Sequence, residues 1–513
     1  IEKRESKKPM LSDLRESGCL TKDTTLINGD TGELITIKEL IERRYKLPIP
    51  ILSLNEENLK IKKANLVKVF SSGIKRVYLL KTQSGREIKA SANHPFLTID
   101  GWKRLDQLEI GEHIATSRIV KIDSKEKYKD EELIFLAHMI GDGCYAPKQP
   151  IHYTSSDLEN IKIVEKTSRI LFNIDSKIIK QKNWYHIYLP SLYHLTHNKH
   201  HPFVFWFFKN GLKLSKSYEK ELPADLLTIP ERQVCLFLKY LWSTDGNISL
   251  IKTKKEKSNI KIYYSSTSKK LIQQIQYLHL RLGIISTIRV SNKIGYRSNW
   301  NLDIQGKENQ LKFLKLIGSY GKRGENINNL ILFLRIIKSN PNNDVIPKKV
   351  WNYIKIEKEN KNYSWRDLSK ILSISYSGSS IFNNNLSRER LNRYANILES
   401  KYLYNLSNSD IYWDKIKEIK ELGEEEVYDV TIDETHNFIA NNIIVHNSIE
   451  QDADVVMFLN REDDDIGKDV STVELTVAKN RNGPLGKMKL KFLKNFAKFS
   501  EIEYSEEEGE EEF

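Results

Sequence analysis

The chain has 513 residues, with 81 Lys plus Arg against 68 Asp plus Glu and a formal net charge of +13. That length exceeds what one core holds and predicts roughly three or four domains, while the positive balance favours polyanionic partners, nucleic acid first, and leaves the fold open. Three cysteines, Cys19, Cys144 and Cys235, exclude a disulfide framework and a paired zinc spacing and imply a reducing compartment, and the lack of any run of about 18 apolar residues or of an apolar leader argues against a membrane or secreted protein.

The first residue is Ile1, not Met, which predicts an internal piece of a longer gene product. From Cys19 to about residue 117 the pattern is short strands with turn punctuation: Thr25-Leu26-Ile27 before Asn28-Gly29, then 77–82 before Ser84-Gly85, then Ile88-Lys89-Ala90. The same all-β texture returns at 426–432 and 437–440, after roughly 300 residues of helical, basic text. One β domain split by an insertion is the expectation.

The insertion carries an internal repeat. Tyr153-Thr154-Ser155-Ser156 precedes helix-spaced apolar positions, as does Tyr264-Ser265-Ser266-Thr267. Each copy follows an apolar run closed by Asp-Gly, at Asp142-Gly143 and Asp245-Gly246. Two similar halves predict a pseudo-twofold domain. Lys254, Lys255, Lys257, Lys261, Arg289, Lys293 and Arg297, interspersed with Tyr263, Tyr264 and Tyr296, suit strands lying against a duplex. Farther on, Trp365–Leu372 and 388–392 show helical spacing around a polar Ser-Gly turn, which fits a small helix-turn-helix or a solvated helical elaboration.

Beyond residue 447 the runs 452–459 and 473–478 read as buried strands of a parallel sheet. The acidic run 506–512 reads as a solvated tail.

The two ends of the middle segment carry complementary chemistry. Gly18-Cys19 offers a thiol beside the peptide bond it could attack, and His446-Asn447-Ser448 offers a cyclising carboxamide and an acyl-accepting hydroxyl. A thiol of ordinary pKa needs help, and Ser91-Ala92-Asn93-His94 is the best source. There His94 would protonate the Cys19 nitrogen while the Ser91 hydroxyl and Asn93 amide polarise the Gly18 carbonyl.

On these residues the segment 19–447 resembles an intein: Cys19 first, the block Ser91-Ala92-Asn93-His94-Pro95-Phe96, then Val427-Tyr428-Asp429-Val430, His436-Asn437-Phe438, and Val445-His446-Asn447 followed by Ser448. The resemblance implies an all-β horseshoe shared with hedgehog autoprocessing domains and cofactor-free self-splicing. It assigns Asp429 to the first two steps and His436 and His446 to the last. Ser91 stands where Thr is more common, keeping the hydroxyl.

The paired Asp-Gly helices resemble LAGLIDADG homing endonucleases, α+β domains that cut double-stranded DNA. By that resemblance Asp142 and Asp245 hold Mg²⁺, and Lys220 sits near the scissile phosphate. Tyr240 stands where Gly is usual and Thr244 where Ala is usual, so the helix interface must be repacked or loosened, and an active and a degenerate endonuclease both remain open.

The joined flanks, with Ala478-Lys479-Asn480-Arg481 further on, resemble the C-terminal ATPase region of replicative DNA helicases of the DnaB type. This implies pieces of an α/β RecA-like core, a homo-hexamer acting on single-stranded or forked DNA with ATP and Mg²⁺, a primase or loader as partner, and bacterial cytoplasm or plastid stroma. Lys479 and Arg481 would reach a γ-phosphate. No G-x-x-x-x-G-K-[ST] loop occurs in the sequence, so ATP binding would need a preceding part. The resulting divisions are 1–18 (helicase flank), 19–120 and 416–447 (the split splicing domain), 121–335 (endonuclease), 336–415 (helical DNA-binding elaboration) and 448–513 (helicase flank with acidic tail).

Overall fold

The computed structural model describes residues 18–42, 44–196, 199–252, 258–337, 343–374, 378–447, 455–461, 470–480, 486–493 and 498–501. Residues 18–447 form one compact unit, and the strands after 448 belong to another.

In the first unit, strands from both ends of the segment share one twelve-stranded sheet. The long strand Lys60–Thr82 runs antiparallel to Ile411–Ile432, with register shifts that bend the ribbon. Strand His113–Ser117 pairs with the start of the same late strand, Ser117 opposite Ile411, so the chain leaves and re-enters the sheet at neighbouring positions. Alternating apolar residues build the core beneath, including Leu26, Ile35, Leu66, Ile88, Phe96, Ile114 and Ile443. The all-β expectation needs one small amendment: Ile37–Ile41 is a helical turn, because Thr36 and Glu39 form a capping box.

The insertion repeats one order of elements twice. Helix Asp130–Asp142 leads to strands Gly143–Cys144 and His152–Ser155, helix Leu158–Phe172, and strands Lys177–Lys180 and Tyr185–Tyr188. Helix Glu231–Asp245 leads likewise to Gly246–Lys252 and Ser258–Ser266, helix Lys269–Arg281, and Ser286–Ser291 and Asn299–Ile304. In each sheet the strands lie in the order first, second, fourth, third. The two halves pack into one continuous core that includes Phe135, Leu136, Phe237, Leu238 and Trp242.

The insertion is held firmly against the β domain. Gln276 Nε2 donates to the carbonyls of Ser84 and Ser286, both at 2.9 Å, Tyr277 Oη donates to Gly32 O at 2.9 Å, and Lys269 pairs with Glu87 at 2.7 Å. A β-carbon at Gly85 would meet Ile288 Cβ at 2.7 Å, so only glycine allows this approach.

Helices Val350–Asn360, Trp365–Ile371, Arg388–Leu398 and Lys401–Ser407 follow. The helix-turn-helix alternative is corrected in one respect: Trp365–Ile371 and Arg388–Leu398 are separated by a 3₁₀ segment, Gly378–Asn383, and the two-residue strand Leu386–Ser387, not by a tight turn. Arg388, its side chain 11% exposed, ties this group to the sheet. Its Nε donates to Asp344 Oδ1 at 2.7 Å, and its other nitrogens reach the carbonyls of Leu406, Ser407 and Ile411. Asp344 also pairs with Arg118 at 2.5 Å.

In the second unit, Val455–Arg461, Val470–Asn480, Gly486–Leu493 and Lys498–Glu501 form an antiparallel meander. The parallel-sheet expectation is therefore corrected. Apolar runs do not distinguish the two pairings, and the intervening stretches 462–469, 481–485 and 494–497 are too short for a parallel crossover of about a dozen residues.

Candidate functional site

Strand pairing alone assembles the first cluster. The two-residue strand Leu20–Thr21 lies between two partners: Leu20 pairs with Ala90 on one side and with Tyr428 on the other. Extending both registers by one residue sets Cys19 opposite Ser91 and opposite Asp429, on one face of the sheet. All three are buried. On the far side, Val445 of the terminal strand Ile443–His446 pairs with Phe96, two residues after His94, so His94 and Asn447 run toward each other. The two termini of the 429-residue segment thus meet across the sheet.

The Cys19 N–H donates to Ser91 Oγ at 2.9 Å, and Ser91 Oγ donates to Asn93 Oδ1 at 2.7 Å. The backbone N–H of Ser91 also donates to the Cys19 carbonyl at 3.0 Å. This corrects the oxyanion reading of Ser91: its hydroxyl faces the leaving nitrogen, not the Gly18 carbonyl. The cause is the antiparallel register, which was not readable from the tetrapeptide.

His94 packs against the backbone of Gly18, where an added β-carbon would come within 2.7 Å of His94 Cα. Burial pushes the imidazole down to about 4, against the opposing pull of the Gly18 backbone. It is therefore neutral at pH 7, with one N–H to give and one lone pair to receive. Asp429 accepts the N–H of Val430 at 2.8 Å, which fixes its carboxylate on the strand.

At the other junction, the Asn447 N–H donates to the His436 carbonyl at 2.8 Å, and His436 takes a left-handed conformation at φ 53° to allow it. His446 Nδ1 contacts the Asn447 carbonyl oxygen; a carbonyl only accepts, so Nδ1 carries the proton. Asn447 is 1% exposed, and among the described residues neither of its amide atoms has a hydrogen-bond partner, leaving the carboxamide uncommitted beside the carbonyl it would attack. Ser448 and Arg481 lie outside the described residues, and Lys479 is within strand Val470–Asn480, with its backbone opposite Val456.

A second cluster occupies the ends of the two central helices of the insertion. Both helices terminate at their aspartates, Asp142 and Asp245. Burial and then the charge of Asp245 push the Asp142 carboxyl up to about 7, with Lys220 and Arg323 opposing. Asp245 is raised too, by desolvation, although it reaches solvent. Lys220 is buried with Nζ donating to the carbonyls of Gly141 at 2.7 Å and Gly143 at 2.9 Å, and burial lowers it to about 8. Arg323 does the corresponding work in the other half, donating to the carbonyls of Ser243 and Thr244. It escaped the sequence reading because it lies in a 3₁₀ turn with no repeated motif around it.

The helix interface is repacked, as the departures at 240 and 244 required. Gly141 receives the Thr244 side chain, while Tyr240 stacks on Tyr320 at 4.8 Å and meets His138 edge-on at 5.7 Å. Among the basic positions, Lys261, Arg289, Lys293 and Arg297 are exposed, with Arg297 3.7 Å above the Tyr218 ring. Tyr264 is corrected: it is buried against Trp242, 5.3 Å between rings. Lys254, Lys255 and Lys257 lie outside the described residues. No helix among the described residues is long and apolar enough to cross a membrane.

The intein splicing domain family matches residues 26–447, and the DnaB-like helicase C terminal domain matches residues 442–501. The replicative DNA helicase DnaB of Synechocystis sp. is 40% identical over 513 residues, covering 98% of this chain and 58% of that protein. Its counterpart in Nostoc sp. is 39% identical over 509 residues, covering 98% and 57%. A crystal structure of a DnaB intein from Synechocystis sp. is 46% identical, covering 20% of this chain and 70% of that one, with a TM-score of 0.19. The chain spans a little over half the length of these helicases. With the family match extending over most of its length and Cys19 and Asn447 each adjoining a strand of the same sheet, the chain belongs to the intein splicing domain family, and its C-terminal stretch matches the DnaB-like helicase C terminal domain.

Proposed function

We propose that residues 19–447 excise themselves from a replicative helicase precursor and join Gly18 to Ser448. The observation that carries this is the double register that sets Cys19 opposite both Ser91 and Asp429 while His94 runs toward Asn447. The Cys19 thiol attacks the Gly18 carbonyl and the Gly18–Cys19 amide breaks. His94 relays a proton to the departing nitrogen: an imidazolium of pKa about 4 is a strong acid and gives it up readily. Ser91 holds that nitrogen in line, with Asn93 orienting Ser91, and Asp429 steers the thiol. The Ser448 hydroxyl then takes the acyl group from sulfur. Asn447 Nδ2 closes on its own carbonyl, assisted by His446 and His436, and the 447–448 bond breaks; the ester rearranges to an amide. No cofactor is needed. Asn447→Ala tests the scheme: precursor or its cleaved N-terminal flank should accumulate, and an unchanged yield of ligated product would sink it.

The insertion reads best as a site-specific endonuclease for double-stranded DNA. The carboxyls of Asp142 and Asp245 at the ends of the repeated helices, both raised by burial and the first also by the charge of the second, favour it, because such a pair suits a divalent ion such as Mg²⁺. That ion would supply charge neutralisation at a scissile phosphate. Lys220 and Arg323 bring positive charge to the same ends, and the helical elaboration 336–415 would extend the DNA-binding surface. Cutting of DNA bearing the uninterrupted insertion site supports this reading, and no cutting at any Mg²⁺ concentration leaves a degenerate endonuclease.

The ligated host would be a hexameric, ATP- and Mg²⁺-dependent helicase acting on forked DNA in the cytoplasm or a plastid stroma, with a primase or loader as partner. Lys479 and Arg481 would serve the γ-phosphate there. Loss of unwinding but not of splicing in Lys479→Ala would test that assignment.

A further inference from the structure

The Trp102 indole stands edge-on to the His446 imidazole, with ring centroids 4.8 Å apart and planes at 73°. Trp102 Nε1–H donates to Glu56 Oε2 at 3.2 Å, and the other oxygen of that carboxylate accepts from Asn437 Nδ2 at 3.1 Å. Asn437 is the cross-strand partner of His446. Its carboxamide is locked in turn: Oδ1 accepts the Leu54 N–H at 2.8 Å, and Nδ2 also reaches the Leu54 carbonyl at 3.0 Å. One carboxylate therefore ties together the ring that packs on His446 and the residue that faces it across the sheet.

The cyclisation step needs that hold. His446 must keep Nδ1–H aimed at the Asn447 carbonyl oxygen, yet rotation about the imidazole's last torsion is broad when nothing restrains it. An edge-on aromatic neighbour favours one ring plane, because the positive ring edge meets the negative face. We infer that Trp102 and Glu56 are positioning residues for Asn447 cyclisation, acting through His446. The inference rests on the splicing reading above. In that step the bond from Asn447 Nδ2 to its carbonyl carbon forms, the 447–448 C–N bond breaks, and the proton released by the amide passes to the departing amine.

The test uses the full precursor and follows two steps separately: thiol-induced cleavage at Gly18–Cys19, and succinimide formation at Asn447 by mass spectrometry. Trp102→Ala should slow succinimide formation by about 10- to 100-fold, as misplacement of a reacting group does, with thiol cleavage within about twofold of the parent. Trp102→Phe keeps a ring edge and should recover most of the rate. Glu56→Gln is an exposed, isosteric change that covers the case in which Trp102→Ala does not fold. Its amide offers one acceptor oxygen where Glu56 offers two, so Trp102 and Asn437 can no longer donate to separate oxygens, and cyclisation should slow selectively by about 2- to 10-fold. Equal slowing of both steps without recovery by Phe, or no slowing in any variant, overturns the inference. A parent precursor that forms no succinimide overturns the splicing reading instead.

Discussion

A β-carbon added to Gly141 would lie 2.1 Å from Thr244 Oγ1 and 2.5 Å from Thr244 Cβ. The two central helices of the insertion thus cross at a point with no spare volume, directly before their terminal aspartates. Gly141→Ala should cost about 1–3 kcal/mol by overpacking, and Thr244→Gly in the same chain should restore much of it. Denaturant unfolding of the two variants against the parent checks both signs; independent, additive losses would contradict the contact.

Asp142→Asn should stabilise the metal-free protein at neutral pH. The folded-state pKa is raised from the ordinary 3.8 to about 7, so the stability it contributes is full below 3.8 and is lost as pH rises toward and through 7. Removing the charge removes that loss. Mg²⁺ should raise the melting temperature of the parent and not of the variant, a differential readable by calorimetry.

Three buried histidines give the opposite dependence. Burial pushes His94 to about 4, and His138 and His279 to about 3. Their lowered values mean that the unfolded chain binds more protons below pH 6.5, so stability is full above 6.5 and falls as pH drops toward 4, by about 1.4 kcal/mol per pH unit for each. His279→Asn should flatten the dependence between pH 6.5 and 4 relative to the parent. An identical slope would mean that His279 is protonated in the folded state.

Ser91→Ala should slow thiol-induced cleavage at Gly18–Cys19 by about 10- to 100-fold while leaving Asn447 cyclisation near its parent rate, since Ser91 Oγ meets the leaving nitrogen of the first step only. Ser91→Thr should retain activity because it keeps the hydroxyl. Loss of both steps in Ser91→Ala would indicate a collapsed sheet.

Asp344→Asn should destabilise the helical group by about 1–3 kcal/mol, because the partly exposed Arg118 and the largely covered Arg388 would lose their shared counter-charge. Hydrogen exchange should show faster opening across 343–411 than across 60–82.

The candidate chemistry at the ends was legible as a proposal because it depends on residue type and order: Cys19, the 91–94 block and His446-Asn447 stand out in the sequence. What Ser91 touches was not, because the Leu20–Ala90 pairing joins residues about seventy positions apart and only the sheet sets it. Tyr264 was readable and misassigned. It shares the alternation of Ile260 and Ile262, which marks an inward face, whereas Lys261 and Tyr263 point the other way. Arg323 had no local signal, since its role comes from the carbonyls at the end of a helix some eighty residues earlier.

Ser117 and Ile411 stand directly across from each other in the sheet. Everything between them is, to that sheet, a single hairpin loop whose ends are already one strand apart. Closing such a loop costs only about 0.6 kcal/mol for each doubling of its length, so a domain of nearly three hundred residues costs about 4 kcal/mol more to close there than a short turn, an amount its own core can offset. The β domain can therefore gain, shed or exchange its passenger over evolutionary time without altering the register on which its own junction chemistry depends.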